Sequence, residues 1–288
     1  MRIRDMGLAV LTSVIWGFSY VTYRFGLESF SPAQLAVVRF LFACLPVFFV
    51  PRPKVGWPII VLIGLILFAG QFLLLMLAYA RGMPAGLGSV TQQTQAVFTV
   101  ALAAIFMREL PTVRDGAGMA VAFAGLGLIA LTVGGDLEPA ALAFAVAAAT
   151  CWAVGNLLLK RTGNAPAFAL MVWASLVAPW PVLAFSYAVD PQPSLIGAIT
   201  HASWLSLAVA FYLGVPSTLV GYGLWGYLLQ RYPAATVAPF SLLVPATGII
   251  ASALILGEQF GPPRLAGMAL ILIGLAVIVW PAKTRRVG

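Results

Sequence analysis

Four polar side chains in a row, Gln92, Gln93, Thr94 and Gln95, interrupt an apolar stretch that runs from residue 85 to residue 107. An amide turned towards lipid without a partner costs about 2–7 kcal/mol, so these groups must face something polar. An amide donates and accepts, which suits a zwitterionic solute that has to be released again. Ser89, Gln92, Ala96 and Thr99 recur at spacings of three and four and mark the helix face assigned to a solute cavity. The other use for such residues is as ties between helices, contributing about 0.6–2 kcal/mol each. Gln71 and Asn156 pose the same choice.

Trp16 and Trp152 lie deep within apolar stretches instead of at their ends, where membrane tryptophans concentrate. With Tyr20, Tyr79 and Tyr222 they offer flat, amphipathic walls for an aromatic ring, or they simply fill a core. Gln95, Thr99 and Ser241 complete the candidate substrate-binding set. Arg39 falls in the middle of another apolar stretch, where a charge costs about 2.5–3.5 kcal/mol. It needs partners, for which Glu28 or helix-end carbonyls are candidates, and its expected role is structural or gate-stabilising.

Catalytic chemistry finds few supports. His201 is the only histidine and falls in a loop, and Ser217 with Lys160 would make a nucleophile–base pair only by coincidence. Cys44 and Cys151 have neither the number nor the spacing of a metal or disulfide framework, so no catalytic residue, metal site or cofactor is expected. No Asp or Glu sits inside an apolar stretch, since Glu109 and Glu258 come at the ends of two of them. That absence argues for a facilitator or exchanger over a proton-coupled antiporter that works through a buried carboxylate.

The elements that must position these residues follow from composition. Hydrophobic residues make up 62% of 288 positions and charged residues 8%, against about 25% charged in a soluble domain. The solvent is therefore lipid, and a span takes about 20 apolar residues. Ten such runs are readable, near 6–23, 33–50, 58–80, 85–107, 116–133, 139–159, 166–187, 204–230, 233–256 and 265–281. They are continuous, not alternating as in a lipid-embedded barrel, and the connections leave nothing for a soluble domain. The first run follows Arg2 and Arg4 but lacks a cleavage site for a secretory signal.

Twelve basic residues (Arg2, Arg4, Arg52, Lys54, Arg108, Arg114, Lys160, Arg161, Arg231, Lys283, Arg285 and Arg286) fall on the side shared with the N-terminus, and three (Arg24, Arg81 and Arg264) on the other. This bias puts both termini in the cytoplasm and requires an even number of spans. It also makes the basic excess a topology signal, so no nucleic-acid partner is expected; the partners expected are a small-molecule substrate and the bilayer.

At an offset of 149 residues the chain matches itself: Pro84-Ala85 with Pro233-Ala234, Glu109 with Glu258, Gly118-Met119 with Gly267-Met268, and Gly125-Leu126 with Gly274-Leu275. Trp16 meets Trp152 at an offset of 136, and Pro32 meets Pro166 at 134. Residues 1–135 therefore read as one five-helix repeat and 136–288 as a second. An odd number of spans per copy inverts the second, the arrangement that yields alternating access to a midplane site, here expected as an uncharged, solvent-reachable hollow.

The residues resemble the drug/metabolite transporter superfamily in its ten-helix branch with two tandem repeats. The likeness rests on Trp16-Gly17, on Pro32 followed by Arg39-Phe40, on Gly257-Glu258, and on Gly267 with Gly274. One departure is Pro245 in Leu243-Val244-Pro245, where the first half has Ala96 within its polar run. Within the superfamily the chain looks most like exporters of aromatic amino acids and related metabolites. The resemblance implies an all-α membrane protein of the bacterial inner membrane, with a cavity lined by helices 1, 3, 4, 6, 8 and 9 and with helices 5 and 10 peripheral. Multidrug or nucleotide-type transport, and less readily a membrane-embedded enzyme, stay open as alternatives.

Gly214, Pro216 and Gly221 in the eighth run, and Pro239 and Pro245 in the ninth, weaken local helix hydrogen bonding and mark hinges or, alternatively, tight static packing. Gly118 and Gly125, like Gly267 and Gly274, fall seven residues apart on one face and would serve either a weak homodimer or packing within a monomer.

Overall fold

The computed structural model describes residues 1–108, 111–133, 137–163, 165–190, 194–232 and 237–279. Glu109, Pro233, Ala234 and the C-terminal Lys283, Arg285 and Arg286 lie outside them, as does the side chain of Pro239. Among the described residues the fold is entirely helical, with one isolated bridge between Val133 and Leu137 and no strand. Helix α1 is Ile3–Gly26, and α2 is Pro32–Cys44 with a 3₁₀ continuation, Leu45–Phe48. Helix α3 is Trp57–Ala80, α4 runs in two pieces, Ala85–Thr91 and Thr94–Met107, and α5 is Val113–Ala130. Helix α6 is Pro139–Lys160 and α7 is Ala167–Val189. Helix α8 combines Trp204–Tyr212, Leu213–Val220 and Gly221–Arg231, α9 is Leu243–Leu256 behind a 3₁₀ turn at Ala238–Leu242, and α10 is Pro262–Val279.

Six of these stretches are long and apolar enough to cross a bilayer: α1, α3, α5, α6, α7 and Trp204–Leu228 of α8. Shorter apolar helices run over Pro32–Phe48, Phe240–Leu256 and Pro262–Ile278. The outside of the bundle is apolar, with Phe49, Trp204 and Leu254 each exposed by four-fifths or so, which only a lipid solvent tolerates. His201, expected in a loop, instead ends a short helix, Leu195–His201, which Ser194 caps by accepting from the Gly197 amide.

Local sequence explains the helix ends. Ser31 and Gln34 form a capping box with Pro32 at the first helical position of α2, and Thr112 with Asp115 does the same for α5. At the far end of α4, Arg108 adopts φ 56°, and at the far end of α9, Gly257 adopts φ 65°. These positions are equivalent at the 149-residue offset, so both copies stop the helix with a left-handed cap. The residue after Gly257 turns back: the Glu258 carboxylate accepts from the amides of Ala85 and Gly86 at 2.6 and 3.0 Å. It thereby satisfies two free donors at the positive end of α4 and ties α9 to α4.

Glycines set the closest helix contacts. Gly118 abuts the carbonyl of Gly274, and Gly125 that of Gly267, with the reciprocal contacts also made. The residue numbers rise on α5 as they fall on α10, so the two helices are antiparallel, and exchanging each residue for its repeat partner returns the same pair of contacts. The four glycines offered by sequence for a dimer are thus used inside one chain. Elsewhere Gly17 of α1 meets Val244 and Thr247 of α9, Gly155 of α6 meets Leu67 of α3, and Gly214 of α8 meets the Arg39 carbonyl and Phe42 of α2.

A Cβ on Gly125 would lie 2.6 Å from the Gly267 carbonyl oxygen and 2.8 Å from the Ile271 nitrogen, both of them backbone atoms. Gly125→Val should therefore destabilise the protein by about 1–3 kcal/mol, read as a lowered thermal midpoint of the purified protein in detergent. Glu258→Ala should cost about 1–2 kcal/mol and speed hydrogen exchange at the start of α4 while leaving α5 and α10 protected.

Candidate functional site

Two helices of the bundle depart from regular α geometry where they pass the centre. Helix α3 contains a π segment at Gly64–Gly70, and α8 contains one at Leu213–Val220, the equivalent stretch at the 149-residue offset. In α8 the segment accommodates Pro216, which lacks an N–H and whose ring would collide with the carbonyl one turn earlier in a regular helix, whereas the α3 segment is π without a proline. The wider turn frees backbone and side-chain groups for other partners. Trp16 donates its indole N–H to the Ser217 carbonyl at 2.9 Å, and Thr218 donates to the Leu213 carbonyl at 2.8 Å. Gly221 follows because the Trp16 indole occupies the space a side chain would need.

Between these helices lies an unfilled space of about 380 Å³, of which the centre of a water-sized molecule reaches about 30 Å³. Helix α1 contributes Trp16, Ser19, Tyr20 and Tyr23 to its wall, α2 contributes Arg39, and α3 contributes Gln71, Phe72 and Leu75. The second half supplies Trp152 from α6, Ser217 and Tyr222 from α8, and Val244 from α9. Rings dominate: Trp16 lies 5.2 Å from Tyr222 and 5.4 Å from Trp225 between centroids, and Phe68 lies 6.2 Å from Tyr222.

Among the described residues Arg39 is the one charged group in this wall, so the hollow is not the uncharged one expected from sequence. It is 1% exposed. Its guanidinium donates to the Tyr23 hydroxyl at 2.8 Å and, from Nε and a terminal nitrogen, to the Thr218 hydroxyl at 3.2 and 3.0 Å. Its Cζ lies 3.6 Å from the Phe72 ring centroid, within cation–π range, and Tyr23 in turn stacks on Tyr79 at 5.3 Å. Neither Glu28 nor a helix-end carbonyl is its partner, and the ion pair formed among the described residues, Arg81–Glu138 at 2.8 Å, is elsewhere on the exposed surface.

The remaining candidates separate into two groups. Trp16, Tyr20, Gln71, Trp152 and Tyr222 come together in the wall. Tyr79 is buried behind it, its hydroxyl against Gly88 of α4 and without a hydrogen-bond partner. Helix α4 contributes none of the described residues to the wall, and it breaks at Gln92–Gln93. Gln92 donates to the Ala145 carbonyl of α6 at 3.3 Å, while Asn156 of α6 donates to Gln95 at 2.8 Å and to Thr99 at 3.1 Å. These groups tie α4 to α6. Ser241 is half-buried in the 3₁₀ turn before α9, and Ser13 of α1 donates to the neighbouring Phe240 carbonyl at 2.8 Å.

Sequence reasoning missed Tyr23, Phe72, Ser217 and Thr218 as parts of this site. The available signal was the cost of Arg39, which demands hydroxyls and a ring somewhere near it. Of the hinge candidates, Gly214, Pro216 and Gly221 border or occupy the α8 π segment, and Pro245 is buried in the first turn of α9.

A second opening of about 840 Å³ lies at one end of the bundle, among Arg24, Gly82, Met83, Pro84, Leu256, Glu258, Gln259, Phe260 and Arg264. Its walls are the end of α1, the start of α4, the end of α9 and the start of α10.

The profile of the EamA-like transporter family matches residues 5–131 and again 139–280. A "Probable amino-acid metabolite efflux pump" of Salmonella typhimurium is 36% identical over 99% of this chain and 98% of its own length, and its Escherichia coli K12 namesake is equally similar. A "Probable terminal-alkyne amino-acid exporter" of Streptantibioticus cattleyicolor is 30% identical over 93% of this chain and 91% of its own. A solved crystal structure superposes with a TM-score of 0.62 over 96% of this chain and 98% of the other at 14% identity, a likeness of fold alone. Two successive matches to one profile, covering most of the chain, place this multi-pass membrane protein in the EamA-like transporter family of the drug/metabolite transporter superfamily.

Proposed function

We propose that the protein exports small amphipathic metabolites, aromatic amino acids foremost among them, across a bacterial inner membrane by alternating access. The observation that carries this reading is the ring-lined space to which both halves contribute, Trp16 and Tyr20 from the first and Trp152 and Tyr222 from the second. A flat side chain entering it would exchange ring contacts with the walls, each worth about 0.5–1.5 kcal/mol beyond simple burial. The relatives named as probable amino-acid metabolite efflux pumps and a probable terminal-alkyne amino-acid exporter support the same broad substrate class.

In this reading the chain crosses the membrane ten times as two inverted copies, 1–135 and 136–288, with both termini in the cytoplasm. The reciprocal antiparallel contact of α5 with α10 supports inversion, and the basic residues support the orientation. The moving pairs are α3 with α4 and α8 with α9, since α3 and α8 carry the π segments and α4 and α9 are broken at equivalent places. No covalent step is involved, and among the described residues no carboxylate lines the ring-walled space, which supports the cycle of a facilitator or exchanger. The protein works as a monomer or a weak homodimer.

Purified protein in liposomes should accumulate labelled phenylalanine or tryptophan down their gradients, and a failure of every amino acid to cross would refute the reading. A pair of cysteines, Phe68→Cys on α3 and Tyr222→Cys on α8, introduced with Cys44→Ala and Cys151→Ala, should allow the moving helices to be tied by a bifunctional methanethiosulfonate reagent that spans the gap left by the two rings. The rings they replace lie 6.2 Å apart. Bridging should lower counterflow at least tenfold relative to the same variant unbridged, with recovery on reduction.

A further inference from the structure

We propose that Arg39 and Gln71 together receive the zwitterionic headgroup of an α-amino acid, the carboxylate on the guanidinium and the ammonium on the Gln71 side-chain oxygen. This rests on the transport reading above and assigns the polar end of the substrate within it.

The first observation is an unfinished account around Arg39. A guanidinium has five N–H donors, and here three bonds go to two neutral hydroxyls, those of Tyr23 and Thr218. Hydroxyl dipoles and the Phe72 ring ease the charge but do not neutralise it, and no carboxylate of the described residues pairs with it. Buried charges elsewhere in proteins are paired or bind something, because an unpaired one is costly. The second observation is independent. Gln71, next in sequence to Phe72, is 1% exposed, and its Oε1 accepts no hydrogen bond from the described residues. Both side chains line the same space.

The pair discriminates between ligand chemistries. A simple anion would satisfy Arg39 and leave the Gln71 oxygen orphaned. An amine would meet Gln71 but bring a second positive charge towards Arg39. A carboxylate and an ammonium on one carbon satisfy both, with the side chain left to Trp16, Tyr20, Trp152 and Tyr222. The space as it stands holds about two waters, so the headgroup enters when α8 withdraws and Thr218 releases the guanidinium. Arg39 then passes from a hydroxyl of the second half to the substrate, which couples occupancy to the parting of α2 and α8.

The test is counterflow of labelled phenylalanine in liposomes, with unlabelled phenylalanine, phenylalaninamide and N-acetylphenylalanine as competitors. In the wild type, removing either charge should weaken competition at least about tenfold, the factor that loss of a charged hydrogen bond produces. Arg39→Gln should abolish the preference for the acid over the amide, Arg39→Lys should keep part of it, and Gln71→Leu should abolish the preference for the free amine over the acetylated one. If the three competitors act equally on the wild type, the headgroup assignment fails while transport stands. If the variants slow all competitors in proportion and leave the ratios unchanged, Arg39 and Gln71 are structural and the assignment also fails. If no amino acid drives counterflow, both readings fall. Should Arg39→Gln not fold, the wild-type series and Gln71→Leu still decide.

Discussion

A guanidinium enclosed by helices is tolerated only where its donors and its charge are met, and the centre of this bundle is arranged around meeting those of Arg39. Tyr23 of α1 and Thr218 of α8 reach it from opposite sides, and Phe72 of α3 covers its face. Thr218 can do so because it belongs to a π turn, where it also donates to a carbonyl five residues back. Gly214, one turn earlier, lets the backbone of α8 lie against that of α2 at Arg39 itself. One cation thus draws together a glycine contact and a threonine bond on a helix from the other half of the chain.

The two halves repeat backbone devices more faithfully than side chains. Both carry a π segment at the same offset, both break the helix that follows, and both close it with a left-handed residue, Arg108 or Gly257. Their side chains diverge where chemistry is concentrated. Trp173 stands where Arg39 has its counterpart, and its indole donates to the Val50 carbonyl at 3.0 Å and packs on Trp57. One copy therefore places a charge at the centre, while the other places a ring further out. The divergence gives the space between the copies one polar end.

The helical stretches, the duplication and the awkwardness of Arg39 were all legible in the residues, because each depends on local pattern: apolar run length, self-similarity and the cost of a charge among apolar neighbours. Which groups would answer that cost was not legible, since Tyr23, Phe72 and Thr218 are brought to Arg39 only by packing between helices. The glutamines of α4 show the same limit differently. A face drawn through Ser89, Gln92 and Thr99 assumes one continuous helix, yet the break at Gln92–Gln93 sends its two ends to different neighbours. Ser89 faces Gly248 of α9 and Thr99 faces Asn156 of α6. The central amide is Gln71, one of several isolated polar residues in the sequence and distinguished only by its place in the fold.

The most direct measurement is a structure of the protein determined in lipid with phenylalanine bound. The account predicts the amino-acid carboxylate within about 2.7–2.9 Å of the Arg39 guanidinium, the ammonium against the Gln71 oxygen, and the ring between Trp16 and Trp152. Phenylalanine bound elsewhere in the bundle, with Arg39 still held by Tyr23 and Thr218 alone, would contradict it.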